Sequence, residues 1–288
     1  MPRYRAMVTP MMIPPPPALT TAPTTRLVAD WYSRERTLAR TALIALLCVP
    51  PLLLLARLDE RTVGGVSLWV KPIKFHVAIA IYLGTLCWYA GWIERRWTHR
   101  PWYRLFTALI VACTVVELAW ISAAAAVGQP SHFNRSHPVF ATLYPLMGVL
   151  AVTLTSATLF YAALIARQTR HTIAPPLRAA VIAGLVTSFV LTVIIAGELS
   201  SMDSHWIGGT RSDAAGVPLL GWSRDGGDLR VAHFFALHAM QLVPLAASAR
   251  WPALPFVGPL PRVALVTLAY VAFVLAIYRQ ALAGEPFL

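Results

Sequence analysis

Charged residues are scarce in this chain, and so are cysteines. Charged side chains make up 12% of the sequence, whereas hydrophobic ones make up 57%. The three cysteines, Cys48, Cys87 and Cys113, all fall within apolar segments, so no disulfide framework is expected. The sequence also lacks HExxH, CxxCH and P-loop patterns, so spacing alone identifies no metalloprotease, c-type haem or nucleotide site. The apolar segments are therefore what defines the protein.

Seven of these segments are long enough to cross a bilayer as helices, since about 20 apolar residues span its core. A β-barrel would need alternating strands, and these runs are continuous and of helical length, so we reject it. The sequence predicts an all-α bundle of seven transmembrane helices joined mostly by short loops. The predicted spans are residues 38–56, 68–93, 104–128, 138–166, 177–201, 229–249 and 260–283.

The arginines divide unevenly between the two sides of the predicted membrane. Fifteen fall in the N-terminal tail and the loops on its side, and seven fall on the other side. The positive-inside rule then places the N-terminus in the cytoplasm and the C-terminus in the periplasm. The net charge of +12 is explained by this orienting role, so the expected partner is the lipid bilayer and not a nucleic acid.

Two segments lie outside the regular pattern of spans and short loops. Residues 1–37 are polar and proline-rich, and we expect a disordered cytoplasmic tail there. Residues 38–288 form the transmembrane domain, which contains one long outer loop at 202–228. Long loops in compact domains are usually functional or disordered. Because this one contains turn-forming glycines and two tryptophans, we predict a lid over a site, with His205 and Asp203 brought toward His233.

Nearly all ionisable residues within or beside the spans fall in the half of the bundle that this topology makes the outer one. Glu117 lies near or just beyond the middle of the third span, and Lys71 and Lys74 lie at the outer end of the second. Charges in hydrocarbon are costly, so such residues usually face the bundle interior and mark a site. The other members of this outer group are His132, His205, His233, His238, Glu198, Asp203, Asp228 and Arg230.

The sixth span supports a pocket by its geometry. At about 100° per residue, and with Arg230 as zero, His233 falls at about −60°, Gln241 at about +20° and His238 at about +80°. These four side chains fit a sector of about 140°. The two histidines are five residues apart, which makes it awkward for them to share one ion, so each is expected to meet a partner from another element.

Some members of the outer group also have an ordinary structural interpretation. Asp228 follows two glycines and precedes the span, as a helix N-cap does. Lys71 and Lys74 flank Pro72 at a helix start, where they can extend to the interface. Glu117 is harder to explain in this way, because a carboxylate near the middle of a span needs a partner or a proton.

The leading hypothesis is a membrane metalloprotein, an oxidoreductase with its site in the outer leaflet. Neutral imidazole is the commonest metal ligand, and histidines from different helices can hold haem b or a transition metal such as Cu, Fe or Zn. Glu117 would carry protons, Arg230 and Lys74 would act as electrostatic clamps, and a quinone or another small molecule would be the substrate. The predicted ligands are His132, His205, His233 and His238, with His233 and His238 also the candidates for binding haem.

Two other chemistries fit the same residues. An intramembrane zinc hydrolase would use three His or acidic ligands, with Glu117 or Asp203 as the base. A proton-coupled transporter of a small solute would use Glu117 and His238 as a relay and the lysines as counter-ions. The apolar inner half argues against transport. A retinal protein is disfavoured because the seventh span has no lysine.

Two strings in the chain resemble those of a group of uncharacterised bacterial polytopic membrane proteins. They are Ser131-His132-Phe133-Asn134 and Gly226-Gly227-Asp228-Leu229-Arg230, the latter followed by Ala232-His233-Phe234 and His238. The resemblance extends from about residue 65 to 250. It implies a multi-pass protein of a bacterial inner (plasma) membrane and assigns no activity, cofactor or catalytic residue.

Overall fold

The structure is a computed structural model that describes residues 23–134, 137–168, 173–249 and 257–288, and in these residues it is built almost wholly of helices. The ten helices are α1 (Pro23–Arg34), α2 (Arg36–Leu47), α3 (Val49–Leu58), α4 (Val70–Ala90), α5 (Arg95–Thr98), α6 (Pro101–Ala126), α7 (Pro138–Ala166), α8 (Pro175–Ser201), α9 (Leu229–Ser248) and α10 (Pro259–Leu282). Two short antiparallel ribbons pair β1 (Thr62–Val63) with β2 (Val66–Ser67) and β3 (Trp206–Ile207) with β4 (Gly227–Asp228).

Seven helical segments in the described part of the chain are long and apolar enough to cross a membrane. Six are the single helices α4 and α6 to α10, and α2 with α3 forms the first across Arg36–Leu58. The prediction of an all-α bundle of seven membrane-spanning helices is therefore confirmed. The side of the membrane on which each terminus lies stays a prediction.

The first span is interrupted between α2 and α3. Pro50 and Pro51 have no N–H group, so the helical hydrogen-bond ladder loses two donors there. Cys48 N still donates to Ile44 O (3.0 Å), and Leu52 N donates to Cys48 O (3.2 Å). Because these bonds continue across the interruption, α2 and α3 together form one membrane-spanning segment.

Proline also determines where several spans begin. Helices α6, α7, α8 and α10 start at Pro101, Pro138, Pro175 and Pro259. The first residues of a helix have no intrahelical acceptor for their N–H groups, so a residue without one costs nothing there. This feature explains the sharp boundaries between apolar helix and connecting loop.

The closest helix pair is α8 with α9. A Cβ added to Gly184 would lie 2.8 Å from Ala239 O, and Ser188 Oγ donates to Leu237 O at 2.8 Å. Small residues let two backbones approach, which is how helices without a hydrophobic driving force between them associate in a bilayer. The glycine is therefore required by packing on the neighbouring backbone.

The bundle has two chemically different ends. We call the end that carries residues 59–69, 127–134, 202–228 and 283–288 the loop end. The other, which carries α1 and residues 91–100, is called the opposite end. At the loop end, Asp213 N donates to Gly64 O (2.8 Å), so the long loop is bonded to the β1–β2 ribbon. At the opposite end, Trp31 lies over Gly84 of α4.

An apolar core fills the middle of the bundle and the half toward the opposite end. Leu83, Leu86, Ile110, Leu185 and Met240 are each at most 2% exposed and belong to this core. They come from α4, α6, α8 and α9. A layer packed with such side chains separates the loop end from the opposite end.

The structure differs from the expected disordered tail at residues 23–34, which form α1. Trp31 covers Gly84, and the Arg34 guanidinium lies 4.0 Å from the centre of the Trp88 ring. Arg34 also pairs with Asp30 at 2.8 Å, one helical turn away. The contacts with α4 stabilise α1. Because α4 is distant in the sequence, the composition of the tail does not predict these contacts. Residues 1–22 lie outside the described residues.

Candidate functional site

Arg230 is the centre of the loop end. Its Nη1 and Nη2 donate to the two oxygens of Asp213 at 2.9 and 2.8 Å, and Nη2 donates to Asp228 Oδ2 at 2.6 Å. Nη2 also reaches Gly221 O at 2.7 Å. Bidentate arginine–carboxylate contacts are strong and directional. The guanidinium therefore bonds to groups of the protein itself and holds the long loop to α9. The sequence predicted that Arg230 would clamp a substrate, and these contacts leave it poorly placed for that role.

Asp228 is the N-cap of α9. Its Oδ1 accepts from Arg230 N at 3.0 Å, and its Oδ2 accepts from Ser223 N at 3.1 Å. A capping carboxylate satisfies one of the free N–H groups at a helix start. The N-cap interpretation is therefore confirmed, and the same side chain also neutralises Arg230.

Asp213 is a site residue that the sequence did not reveal. It lies in the long loop, next to Ser212 and Ala214, in a pattern that predicts no role. Burial alone would raise the pKa of Asp213, but the nearby His205 ring and Arg230 guanidinium more than offset this and lower it. The contact between Asp213 and Arg230 places a charged loop residue against α9. The neighbouring Ser212 Oγ donates to Gly64 O (3.2 Å). Only the folded loop brings Asp213 and Arg230 together.

His205 lies at the start of α9, where the lid prediction expected it. Its carbonyl accepts from Leu229 N at 3.1 Å, and its ring centre is 3.9 Å from that of Trp206. His205 Nε2 lies 3.8 Å from Asp213 Oδ1, which is too long for a hydrogen bond. Burial lowers the pKa of His205, and Asp213 only partly offsets this. The ring is therefore expected to be neutral at pH 7.

His132 lies in a tight turn that faces the same region. Phe133 has φ of 60°, a left-handed conformation that is unusual for a phenylalanine. Its ring centre lies 6.0 Å from that of Tyr144 and 6.1 Å from that of His205. Ser131 Oγ is 3.0 Å from His132 Nδ1. The turn thus holds residues 131–134 between α7 and the long loop.

The His132 ring is held in its neutral form. Burial lowers its pKa well below the ordinary value, and the charges of Lys71 and His233 lower it further. The hydrogen bond with Ser131 opposes this only weakly. Lys71 and His233 are therefore within electrostatic range of His132, although the three residues come from separate chain segments.

Lys71 and Lys74 are the only lysines of the chain, since the other 22 of its 24 basic residues are arginines. Lys74 Nζ donates to Leu220 O at 2.8 Å. Lys71 Nζ lies 5.8 Å from the centre of the Phe75 ring and within electrostatic range of Glu117 and Asp213. Among the described residues, neither lysine forms an ion pair with a carboxylate.

Glu117 is one of several polar groups at the loop end without a partner. The residue is 5% exposed, and its Oε1 is buried without a hydrogen bond to any described residue. A buried polar atom left unpaired costs free energy, so such atoms usually indicate a water, an ion or a ligand. Trp206 Nε1, His205 Nε2 and His233 Nδ1 are also buried in this region without a hydrogen bond to any residue that the structure describes.

Two histidines in the spans have one ring nitrogen bonded to their own helix. His238 Nδ1 lies 2.7 Å from Phe234 O, and His76 Nδ1 lies 2.8 Å from Pro72 O. A carbonyl accepts only from an N–H, so Nδ1 carries the proton and Nε2 is left as an acceptor or ligand. His238 also stacks on Phe234 at 4.0 Å. Its second nitrogen is therefore free for a partner.

The predicted metal ligands do not gather into one cluster. Within residues 23–134, 137–168, 173–249 and 257–288, no group of three or more His, Cys, Asp or Glu side chains is close enough to hold a metal ion. The ring of His205 contacts that of Phe133, the ring of His132 contacts those of Phe75 and Tyr144, and His238 lies about 14 Å along α9 from its start. The sequence predicted only that these histidines lie at similar depths in the membrane. A shared depth does not determine which of their side chains are in contact.

Comparison with protein-family models, curated proteins and solved structures gives no match for this chain. The function is therefore argued from the site's own residues.

Proposed function

We propose that this integral membrane protein binds a small acidic molecule at the loop end and exchanges a proton with it through Lys71 and Glu117. The observation that carries the proposal is the group of unpaired polar side chains there. Neither lysine has a carboxylate partner among the described residues, and Lys71 lies within electrostatic range of Glu117, whose buried Oε1 has no donor there, and of the neutral His132 ring. A small acid supplies both a negative charge for the lysines and a proton for Glu117.

The use of lysine supports proton exchange over charge neutralisation alone. Elsewhere the chain uses arginine, which binds anions as well and stays protonated in proteins. An ammonium group can release its proton in a low-dielectric site, and an arginine cannot. Lysine at both positions 71 and 74 is what a site that moves protons requires.

The arrangement favours binding or catalysis from one side over transport. Below the site, the apolar core around Leu86, Ile110 and Leu185 is packed, with each side chain at most 2% exposed. Above it, the long loop is bonded through Asp213 to Gly64 and Arg230. A transport path would need a polar route through the inner half. We therefore expect a ligand to reach the site from the loop end, past the long loop.

Binding of small anions to the purified protein tests the proposal. Acetate, bicarbonate, phosphate and sulfate would each be titrated against the protein in detergent, with thermal unfolding and a pH indicator as readouts. At least one is expected to raise the unfolding midpoint and to be taken up with a proton. Lys71→Met should weaken this binding by about tenfold or more, because a charge-assisted hydrogen bond contributes about 1.5 to 3 kcal/mol.

Two further variants separate binding from proton exchange. Lys71→Arg keeps the charge, so the anion should still bind while proton uptake changes. Glu117→Gln should abolish proton uptake at nearly unchanged affinity. Arg57→Met, an exposed basic residue of α3, is the matched control. The proposal is wrong if no anion in the panel binds, or if binding is the same in Lys71→Met as in the parent protein.

A haem or metal oxidoreductase remains a second proposal, and one observation favours it. The Nδ1 proton of His238 is bonded to Phe234 O, which leaves Nε2 in the form that ligates a metal. An absorption spectrum of the purified protein with a Soret band would support haem b. Stoichiometric iron, copper or zinc without that band would support a different centre, and the absence of both would remove this proposal.

A further inference from the structure

The long loop contains an apolar segment at residues 214–222, which we call the apolar turn. None of these residues has a polar side chain, whereas Asp213 and Ser223 on either side of the segment are polar. Leu219 and Leu220 in this segment are 92% and 37% exposed. Exposed apolar side chains that lie together usually mark a contact with a partner or with a membrane. The proposed function uses none of the side chains in the apolar turn.

Hydrogen bonds hold the apolar turn in a strained conformation. Val217 N donates to Trp222 O at 2.8 Å. Leu220 N donates to Pro218 O at 2.8 Å, which closes a γ-turn around Leu219. Leu219 has φ of 67°, a left-handed conformation that is costly for a bulky side chain and easy for glycine. A segment that only reversed the chain would favour glycine here, so the exposed leucine side chain itself requires an explanation.

Contacts with α4 and α9 determine the depth of the apolar turn. Lys74 Nζ donates to Leu220 O at 2.8 Å, and the centre of the Trp222 ring lies 5.4 Å from that of Phe234. Lys74 is four residues inside α4, or about 6 Å, and Phe234 is five residues inside α9, or about 7.5 Å. These two helices have 21 and 20 residues, so each is about 30 Å long, which equals the thickness of the hydrocarbon core. The apolar turn therefore reaches the depth at which the hydrocarbon begins.

The same contacts lie on the lipid-facing sides of α4 and α9. At about 100° per residue, Ile81 falls about 20° from Lys74 around α4. Leu245 likewise falls about 20° from Phe234 around α9. Ile81 and Leu245 are 48% and 68% exposed, and both belong to membrane-spanning helices, where exposed apolar side chains face hydrocarbon. The apolar turn therefore continues the lipid-facing surface of these two spans.

We propose that the apolar turn enters the lipid of the leaflet at the loop end, with Leu219 and Leu220 among the outer parts of the acyl chains. Transfer of a leucine side chain from water to lipid is favourable and offsets the cost of the left-handed conformation. A soluble partner protein fits less well, because the turn lies at the depth of the hydrocarbon and beside lipid-facing side chains. The long loop is then held by lipid as well as by Arg230. The inference concerns contact with lipid and does not depend on the acid site.

Spin labels on the full chain in nanodiscs of phosphatidylcholine and phosphatidylglycerol test this inference. A nitroxide is attached to Leu219→Cys in a Cys48→Ala background, since Cys87 and Cys113 are 0% and 2% exposed and should stay unlabelled. Relaxation of the nitroxide by oxygen, which concentrates in lipid, is compared with relaxation by a nickel chelate, which stays in water. The ratio of oxygen to chelate relaxation should be high at Leu219→Cys, because the label lies among acyl chains.

Labels at two other positions calibrate the ratio. Leu268 is 69% exposed near the middle of α10, so Leu268→Cys reports lipid, and Thr210 is exposed on the long loop outside the apolar turn, so Thr210→Cys reports water. The ratio at Leu219→Cys should be close to that at Leu268→Cys and well above that at Thr210→Cys. Leu220→Cys is a second position in the turn and should respond in the same way, so the test stands even if one variant fails to fold. A ratio equal to that at Thr210→Cys would overturn the inference. Protection from both oxygen and chelate would identify a protein contact, with a second copy or another partner, and would also overturn it.

Discussion

The two ends of this bundle are built by different interactions. At the loop end, directional bonds join the long loop to the β1–β2 ribbon and to α9, and those between Arg230, Asp213 and Asp228 are the strongest. At the opposite end, rings and small residues pack together, as Trp31 does on Gly84 and Tyr89 on Trp92. Directional bonds can position groups that stay unpaired, whereas packing creates a shaped apolar space. The proposed acid–base chemistry accordingly belongs to the loop end, where buried polar atoms lack partners among the described residues, whereas packing dominates at the opposite end.

Of the variants that test the difference between the two ends, removal of Arg230 should have the largest effect on the free energy of unfolding. Arg230→Met would leave Asp213 and Asp228 without their cation. Breaking a partly buried pair in this way should lower the free energy of unfolding by about 3 kcal/mol. Thermal or denaturant unfolding in detergent measures it, and Arg224→Met, an exposed arginine of the same loop, should change stability by less than about 0.5 kcal/mol. Equal stability of the two variants would show that the loop is not held by this contact.

A smaller effect is expected where the loop end depends on close packing. Gly227 lies so near α10 that an added Cβ would overlap Ala281 O. Gly227→Ala should therefore destabilise the protein by about 1 to 3 kcal/mol, the usual range for overpacking. Gly197→Ala, where an added Cβ meets nothing within 4 Å, is the control and should be neutral or stabilising by up to about 1 kcal/mol. If both variants unfold alike, the contact between β4 and α10 does not hold the C-terminal helix.

The smallest effect concerns pH and should be confined to the loop end. Burial keeps the pKa of His132 and His205 below the ordinary 6.5, so at and below that pH the unfolded chain binds more protons than the folded one. The contribution of these two neutral histidines to the free energy of unfolding should be fully present above the ordinary histidine pKa. It should be lost as the pH is lowered through that pKa. The lowered pKa of Asp213 adds a further loss only below its ordinary 3.8.

Hydrogen exchange at roughly pH 8 and pH 5 measures this difference, since amide protection reports local opening. Peptides from residues 202–228 should lose protection in acid before peptides from α4 near Trp88. The double variant His132→Asn with His205→Asn should flatten the pH dependence, and His99→Asn, an exposed histidine at the opposite end, should not. Acid lability that is equal at both ends would contradict the assignment of buried neutral histidines to the loop end.

Much of the fold could be predicted because its main determinants are local. A run of about 20 apolar residues forms a helix in a bilayer whatever its neighbours are, and the cap at Asp228 depends on the residues beside it. The α1 helix was missed because its order comes from contacts with α4, 50 residues away. Asp213 was missed for the same reason, since nothing near it in the chain predicts that it meets Arg230.

The sequence supported a prediction of where the candidate site lies, which stays a prediction, but not of the contacts within it. Helical periodicity placed Arg230, His233 and His238 on one side of α9. In the structure Arg230 bonds the long loop to α9, His238 Nδ1 bonds to Phe234 O, and His233 Nδ1 has no partner among the described residues. Predicting whether four histidines form one cluster of ligands requires the distances between side chains on different helices and loops. Periodicity within one helix contains no information on such distances.

The sequence by itself determined that this is a protein of seven membrane-spanning helices, and it predicted that the ionisable residues within or beside the spans lie mostly in one half. Length and hydrophobicity decide the first, and the cost of charge in hydrocarbon decides the second. Only the tertiary structure decided that Asp213 and Asp228 balance Arg230, and that neither Lys71 nor Glu117 has an ion pair within the described part of the chain. These outcomes depend on which helix faces meet and how the long loop folds back, and both are set by contacts between residues far apart in the chain.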